Sequence, residues 1–179
     1  KLLGVIGGSG LYQMEGLDVK ETIAVDTPFG SPSDKIIIGE LNGVKLAFLP
    51  RHGVGHVIPP SEINYRANIF AMKKIGVERI ISVSAVGGMK ENMPPGHFVV
   101  PHQFIDKTYQ RISTFFSKGM VGHVSLADPI CVSTANALFQ AAQKAGAQVH
   151  AGGTYICIEG PQFSTRAESN LYRQWGVDV

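Results

Sequence analysis

Three apolar segments of this chain end in the same way, and this pattern constrains the fold more than any other feature. The segments are GVI, LAFL and IISV, and they are followed by GGSG, PRHG and SAVGG. A short apolar segment that leads into glycine, proline or small polar residues is typical of a buried strand. In open α/β sheets, ligands bind outside the carboxyl ends of the strands. If these three strand ends are neighbours, we expect them to form one ligand site.

Strand and helix patterns alternate along the chain, with one hairpin among them. The dipeptide Asn42-Gly43, which favours a type I′ turn, separates the runs DKIIIGEL and VKLAFLP. Helical patterns occupy PSEINYRANIFAMKKIG, VSTANALFQAAQKAG and STRAESNLYRQWG, with Ser61, Ser133 or Thr134, and Thr165 as the expected N-caps. A hairpin among parallel strands predicts an α/β fold with a mixed sheet flanked by helices. Because no repeat or linker interrupts the chain, we predict a single domain over residues 1–179.

Composition and charge argue against several classes of partner. The net charge is +2 without a basic block, which makes nucleic acid a poor candidate. No stretch reaches the roughly 18 apolar residues of a membrane span, and the apolar run in KLLGVIGG is too short for a secretory signal. We therefore expect a cytoplasmic protein without nucleic-acid or membrane partners. Cys131 and Cys157 fit no metal spacing, so we expect two core thiols and no metal, with a disulfide as the alternative.

The residues after the three strands are of the types that commonly bind phosphate. They include the hydroxyls of Ser9 and Ser84, the guanidinium of Arg51, the imidazole of His52 and several glycine amides. The planar donors of arginine match two phosphate oxygens at once, and glycines allow backbone N–H groups to approach an anion closely. Each feature also has a structural interpretation, as a tight turn, a solvated turn or close packing. The three strand ends together favour an anion site.

Two absent motifs narrow the class of phosphate ligand. The stretch GGSGLYQ has no third glycine in the spacing G-x-G-x-x-G, which argues against a dinucleotide-binding oxidoreductase. The chain also lacks the pattern G-x-x-x-x-G-K-[ST] of a P-loop nucleotide hydrolase. Free phosphate or a small phosphorylated metabolite remains.

Further motifs extend along the whole chain. They include VDTPFGSPSDKIIIG, PRHGVGH, PSEINYRANIFAMKKIGV, SAVGG, PHQFIDKT, GHVSLADPIC and IEGPQFSTRAESNLYRQWGVDV. In this combination they resemble the purine nucleoside phosphorylase family, in its methylthioadenosine phosphorylase branch. The resemblance implies an α/β fold of the nucleoside phosphorylase type, with a mixed and partly barrel-like sheet. It also implies reversible phosphorolysis of 5′-methylthioadenosine to adenine and 5-methylthioribose 1-phosphate, with inorganic phosphate as co-substrate and no cofactor.

The same resemblance assigns roles to individual residues. Phosphate would be held by Ser9, Arg51, His52, Ser84 and the amide of Ala85. The nucleoside would be contacted by Ala85, Ile158, Phe163 and Ser164, by His56 as a further pocket candidate, and by His123 reaching into the neighbouring subunit of a homotrimer or hexamer. Asp106 and Thr108 are expected to be structural.

The resemblance places the remaining catalytic groups after Val179. The aspartates that protonate the purine and a Met-Thr pair follow the stretch that corresponds to WGVDV, so we assign no catalytic residue within this chain and expect it to be part of a longer protein. Asp178 is expected to be structural. Two alternatives stay open, namely an enzyme for 6-oxopurine nucleosides such as inosine, guanosine or methylthioinosine, and a non-catalytic module that binds nucleoside or phosphate.

Overall fold

The computed structural model describes residues 1–8 and 10–179, and these form two compact units. Unit 1 comprises residues 1–85 and 110–117, and unit 2 comprises residues 86–109 and 118–179. The single domain over residues 1–179 stays a prediction, and each unit is described separately below. The strands are β1 Leu2–Gly7, β2 Asp18–Ile23, β3 Ile36–Leu41, β4 Val44–Pro50, β5 Val77–Ser82, β6 Phe98–Val100, β7 Gln103–Asp106, β8 Val149–Ala151 and β9 Thr154–Cys157. The α-helices are α1 Tyr65–Lys74, α2 Val132–Lys144 and α3 Arg166–Gln174.

Unit 1 contains a mixed five-stranded sheet in the order β2-β3-β4-β1-β5. Strand β1 pairs in parallel with both β4 and β5, whereas β3 runs antiparallel to β2 and β4. Asn42 and Gly43 both have positive φ angles, of 50° and 80°, as a type I′ turn requires. The mixed α/β architecture predicted from the hairpin is therefore confirmed.

The core of unit 1 lies between this sheet and α1. Apolar residues from four strands meet two from the helix, in a cluster of Ile6, Ile36, Ala47, Leu49, Ala71, Met72 and Val77. The expectation that the IISV segment forms a buried strand is wrong within this unit. Because β5 pairs only with β1, it is an edge strand, and its Glu78 and Ser82 are exposed.

Unit 2 contains two short parallel strand pairs, β6 with β8 and β7 with β9. Its core cluster is formed by Ile156, Tyr172 and Val177. The end of the chain is bound to this core, because the Ile156 N–H donates to the carbonyl of Val179 at 2.9 Å. The Asp178 carboxylate accepts the Thr154 N–H at 2.7 Å, which agrees with its expected structural role.

The structure corrects two of the three predicted helix caps. A 3-10 turn at Pro60–Glu62 precedes α1, so Asn64 rather than Ser61 is its N-cap and accepts the Ala67 N–H. Helix α2 is capped at Cys131 rather than at a hydroxyl residue. At α3 the predicted capping box is confirmed, since Thr165 accepts the Glu168 N–H and Glu168 accepts the Thr165 N–H.

The two cysteines are not joined by a disulfide, and Cys131 is exposed rather than part of the core as expected. Cys157 is half-buried. In the described part of the chain, no helix has the length and apolar character needed to cross a bilayer.

Candidate functional site

The carboxyl ends of β4, β1 and β5 meet in unit 1. Gly7 at the end of β1 is in register with Pro50 of β4, and Ile6 is in register with Ser82 of β5. The connection continues beyond the strands, because the Arg51 N–H donates to the Gly7 carbonyl at 3.1 Å. On the other side, the N–H of the residue after Ser82 donates to the Ile6 carbonyl at 2.9 Å. The prediction that these three ends are neighbours is confirmed.

The guanidinium of Arg51 spans this junction. Its Nη1 donates to the carbonyl oxygen of Val83 at 2.8 Å, and its Nε donates to Nε2 of His52 at 3.2 Å. These two bonds fix the plane of the guanidinium. Its other N–H groups have no acceptor among the described residues, so they are available to an anion.

The hydrogen bonds of His52 define its tautomer. Its Nδ1 lies 2.8 Å from the carbonyl oxygen of Ile58, so Nδ1 carries a proton and Nε2 offers its lone pair to Arg51. Burial lowers the pKa of His52, and the positive charge of Arg51 acts in the same direction, while the hydrogen bond to Ile58 opposes them. A neutral imidazole is therefore favoured next to the guanidinium. The His52 side chain contacts Arg51, and a direct contact with phosphate stays a prediction.

His56 lies directly over His52. The two rings stack with centroids 4.2 Å apart and an angle of 24° between their planes. His56 is exposed and has a φ angle of 57°, in the left-handed region that non-glycine residues seldom adopt. The loop conformation thus holds this ring beside the predicted phosphate residues.

In the glycine-rich turn after β1, packing explains the need for glycine at one position and does not explain it at the next. A β-carbon on Gly7 would lie 2.3 Å from Cδ1 of Leu11 and 3.2 Å from the carbonyl oxygen of Val83, so a side chain there would have to displace the end of Leu11 and would crowd this carbonyl. A β-carbon on Gly8 would meet no described atom within 4 Å. The space above Gly8 is open to a ligand, as a phosphate site requires. Ser9, the predicted hydroxyl donor of this turn, lies outside the described residues.

Ser84 and Ala85 follow directly on Val83, the residue whose carbonyl holds Arg51. Both are exposed, and the Ser84 hydroxyl makes no hydrogen bond to the described part of the chain. The structure thus brings Arg51, His52 and the segment of Ser84 and Ala85 to one edge of the sheet. The contact with the Val83 carbonyl was not predictable, because a backbone acceptor has no sequence signal.

Three of the nucleoside residues inferred from the resemblance, Ile158, Phe163 and Ser164, belong to unit 2. Phe163 is 92% exposed and lies just before α3. The hydroxyl of Ser164 lies 2.8 Å from that of Ser169 in the first turn of α3. Ile158 is partly exposed and packs against the Ile156 cluster. The roles of these residues toward a base stay predictions.

Three further residues of unit 2 were assigned from the sequence. His123 is exposed, as a residue that reaches another subunit must be. Asp106 accepts hydrogen bonds from both the N–H and the hydroxyl of Thr108, at 2.9 and 2.7 Å, which agrees with a structural role for the pair. Glu159, to which no sequence motif pointed, is 4% exposed and accepts the Tyr109 N–H at 2.7 Å.

A family model described as the phosphorylase superfamily matches residues 2–179. The chain belongs to the phosphorylase superfamily. This membership fits the prediction of an anion site at the three strand ends, because a phosphorylase must hold phosphate next to the bond that it cleaves.

Curated members of this superfamily resemble the chain along its whole length. It is 62% identical to the S-methyl-5′-thioadenosine phosphorylase of Geobacter sulfurreducens, over all of this chain and 63% of that protein. It is 53% identical to the enzyme of the same name from Thermofilum pendens, over 99% of this chain and 68% of that protein. The chain thus spans about two thirds or less of the length of these relatives.

Solved structures of the superfamily share the fold. A methylthioadenosine phosphorylase from an antarctic soil metagenomic library superposes with a TM-score of 0.95 at 56% identity, over 98% of this chain and 62% of that one. The methylthioadenosine phosphorylase of Schistosoma mansoni in complex with adenine gives a TM-score of 0.91 at 39% identity, over 98% of this chain and 71% of that one. The α/β fold of the nucleoside phosphorylase type, expected from the motifs, is confirmed.

Proposed function

We propose that the protein is a pentosyltransferase that catalyses the reversible phosphorolysis of 5′-methylthioadenosine to adenine and 5-methylthioribose 1-phosphate. The observation that carries the proposal is the Arg51 guanidinium, which is fixed by Val83 and His52 where three parallel strands end. Similarity to relatives named S-methyl-5′-thioadenosine phosphorylase supports the choice of nucleoside.

The proposed reaction requires the enzyme to balance charge on two sides of one bond. A phosphate oxygen forms a bond to C1′ of the ribose while the bond between C1′ and the purine nitrogen breaks. Positive charge develops on the sugar and negative charge on the purine, which leaves as adenine after gaining a proton. Phosphate held by Arg51, Ser9, Ser84 and the Ala85 amide would stabilise the sugar cation and bring the nucleophile close to C1′.

The resemblance assigns a further set of residues to the nucleoside. An aromatic ring as exposed as that of Phe163 offers a face on which a purine and its ribose can stack. Ser164 and Ile158 would contact the base, and His56 and Ala85 would contribute to the pocket. The proton that the purine requires is not assigned to any residue of this chain.

We also propose that the protein assembles as a homotrimer or a hexamer, in which His123 contributes to the 5′-alkylthio pocket of a neighbouring subunit. The exposure of His123 supports this role. The cytoplasmic location expected from the sequence stays a prediction.

The proposal is tested by assaying the whole gene product with 5′-methylthioadenosine in the presence and absence of inorganic phosphate. We expect adenine release that depends on phosphate and yields 5-methylthioribose 1-phosphate in equal amount. Inosine in place of methylthioadenosine serves as the control for the 6-oxopurine alternative. Higher kcat/KM with inosine would overturn the choice of substrate, and nucleoside binding without release of base would indicate a binding module.

A further inference from the structure

The turn that carries Arg51 and His52 is held from one side by the loop between β2 and β3. The backbone N–H of Val54 donates to Oδ2 of Asp34 at 2.7 Å. At the neighbouring position a β-carbon on Gly53 would lie 3.4 Å from the carbonyl oxygen of Ser33. Gly53 has a φ angle of 72°, a conformation that glycine adopts readily and that other residues seldom adopt.

The β2–β3 loop is in turn anchored to the core of unit 1. Asn68 on α1 is only 2% exposed, and its Oδ1 accepts the Ser33 N–H at 2.8 Å. Its Nδ2 donates to the Ser33 hydroxyl at 2.9 Å. These two bonds satisfy both ends of a buried amide, so they resist displacement of the loop. A continuous set of contacts therefore links α1 to the turn, through Asn68, Ser33 and Asp34.

The carboxylate of Asp34 makes two bonds that one neutral amide could not reproduce. Its Oδ1 accepts the Lys35 N–H at 2.8 Å, while Oδ2 accepts the Val54 N–H. An asparagine at this position has only one oxygen, and its NH₂ group would face one of the two donors. If Asp34 only closed its own turn, the Lys35 contact would be sufficient. The second oxygen is instead bonded to the turn that bears Arg51.

We propose that Asp34 is a positioning residue for phosphate, which acts by fixing the turn of Arg51 and His52 to α1. Asp34 does not touch the anion, and its negative charge would repel it. Its contribution is to restrict where the guanidinium and the stacked histidines lie. This inference rests on the proposed function, since it assigns the same anion site to inorganic phosphate.

The test uses the whole gene product and inorganic phosphate as the probe. We expect Asp34→Ala to raise the KM for phosphate roughly ten-fold, with a matching loss in phosphate affinity measured by calorimetry, because a small displacement of a positioning group is costly. The KM for the nucleoside should rise by much less than that for phosphate, since His56 is the one nucleoside residue in this turn, whereas Phe163, Ser164 and Ile158 lie elsewhere in the sequence. Asp34→Asn should give an intermediate phosphate KM, because its single oxygen can retain one of the two bonds.

Asp26→Ala is the matched control, because this exposed carboxylate lies in the same loop. It should leave both constants unchanged. Equal phosphate affinity in Asp34→Ala and the wild type would overturn the inference. So would equal increases in both KM values, which would indicate general loss of structure. If Asp34→Ala does not fold, unchanged phosphate affinity in Asp34→Asn would still overturn it. Absence of phosphorolysis and of phosphate binding in the wild type would instead refute the proposed function.

Discussion

His52 should have two separable roles, because its two ring nitrogens have different partners. Nδ1 donates to Ile58 within its own loop, whereas Nε2 accepts from Arg51. The amide nitrogen of an asparagine side chain can take the position of Nδ1, and the amide oxygen of a glutamine can take that of Nε2. His52→Asn should therefore retain the contact with Ile58, and His52→Gln should retain the contact with Arg51.

The size of each effect follows from the hydrogen bonds. A net hydrogen bond contributes about 1 kcal/mol to stability, and more when one partner is charged. The bond to Ile58 is short, at 2.8 Å, so its loss in His52→Gln should lower the free energy of unfolding by about 1 kcal/mol. The bond from Arg51 is longer, at 3.2 Å, so we expect it to contribute about 1 kcal/mol as well, although the guanidinium is charged. If this free energy is lost from phosphate binding, the phosphate KM rises roughly five-fold.

Urea unfolding and steady-state phosphorolysis measure the two effects. We expect His52→Asn to raise the phosphate KM roughly five-fold and to lose less stability than His52→Gln, because the longer of the two bonds is the one that it loses. His52→Gln should show the reverse, with reduced stability and a phosphate KM within about two-fold of the wild type. If both variants changed stability and KM in the same proportion, the two contacts would not be separable and the reasoning would be refuted.

The pH dependence of the free energy of unfolding gives a second test of the state of His52. The pKa of His52 is lowered in the folded protein, so the unfolded chain binds more protons in the window just below about pH 6.5. The wild type should therefore lose stability as the pH falls from the unfolded pKa through the lower folded pKa. His52→Asn lacks the titrating ring and should lose less over that window. Identical pH profiles for the two proteins would contradict the assigned neutral state.

Three further predictions concern other parts of the chain. Thr165→Ala should lower the free energy of unfolding by about 1 kcal/mol in urea titrations, because it removes the hydroxyl cap of α3, and unchanged stability would count against the cap. The backbone N–H of Thr165, and after it the hydroxyl, lower the pKa of Glu168, so the associated stability is present above the unfolded pKa and is lost as the pH falls through the folded one. Thr165→Ala keeps the N–H and should therefore retain most of this pH dependence. Met72→Ala should cost about 2–5 kcal/mol by the same assay, since Met72 is fully buried, whereas Met72→Leu should cost less than about 1.5 kcal/mol; equal costs would contradict the packing argument. His123→Ala should raise the KM for methylthioadenosine more than that for phosphate in steady-state assays, and equal increases would argue against its role in a neighbouring pocket.

The part of the fold that carries the phosphate residues was predictable from short patterns. Asn42-Gly43 predicted the hairpin, and the segments before GGSG, PRHG and SAVGG predicted strands with adjacent ends. These patterns are reliable because a type I′ turn requires positive φ at both central residues, and because parallel strands place their carboxyl ends at one edge. Strand β2 had no such pattern, because most of its side chains are exposed and it lacks an apolar face.

The contacts that orient the site residues were not predictable. Ser61 is a residue type that often caps helices, but a 3-10 turn occupies that segment and α1 begins after Asn64. The orientation of Arg51 depends on a backbone carbonyl, and the position of its turn depends on Asp34, which is distant in sequence. Such contacts arise only when separate loops meet. The assignments of Phe163 and of the other nucleoside residues came from family resemblance rather than from any local pattern.

Calorimetric titration of the whole gene product with inorganic phosphate, in which Arg51→Met is compared with Lys45→Met, shows directly whether Arg51 binds phosphate. Both variants remove one cation from the β4 region, but Lys45 lies near the amino end of the strand and Arg51 just after its carboxyl end. Because hydrogen bonds to a charged group contribute about 1.5–3 kcal/mol each, we expect Arg51→Met to weaken phosphate binding at least ten-fold and Lys45→Met to leave it unchanged. Equal phosphate affinity in Arg51→Met and the wild type would contradict the claim that the three strand ends bind phosphate through Arg51.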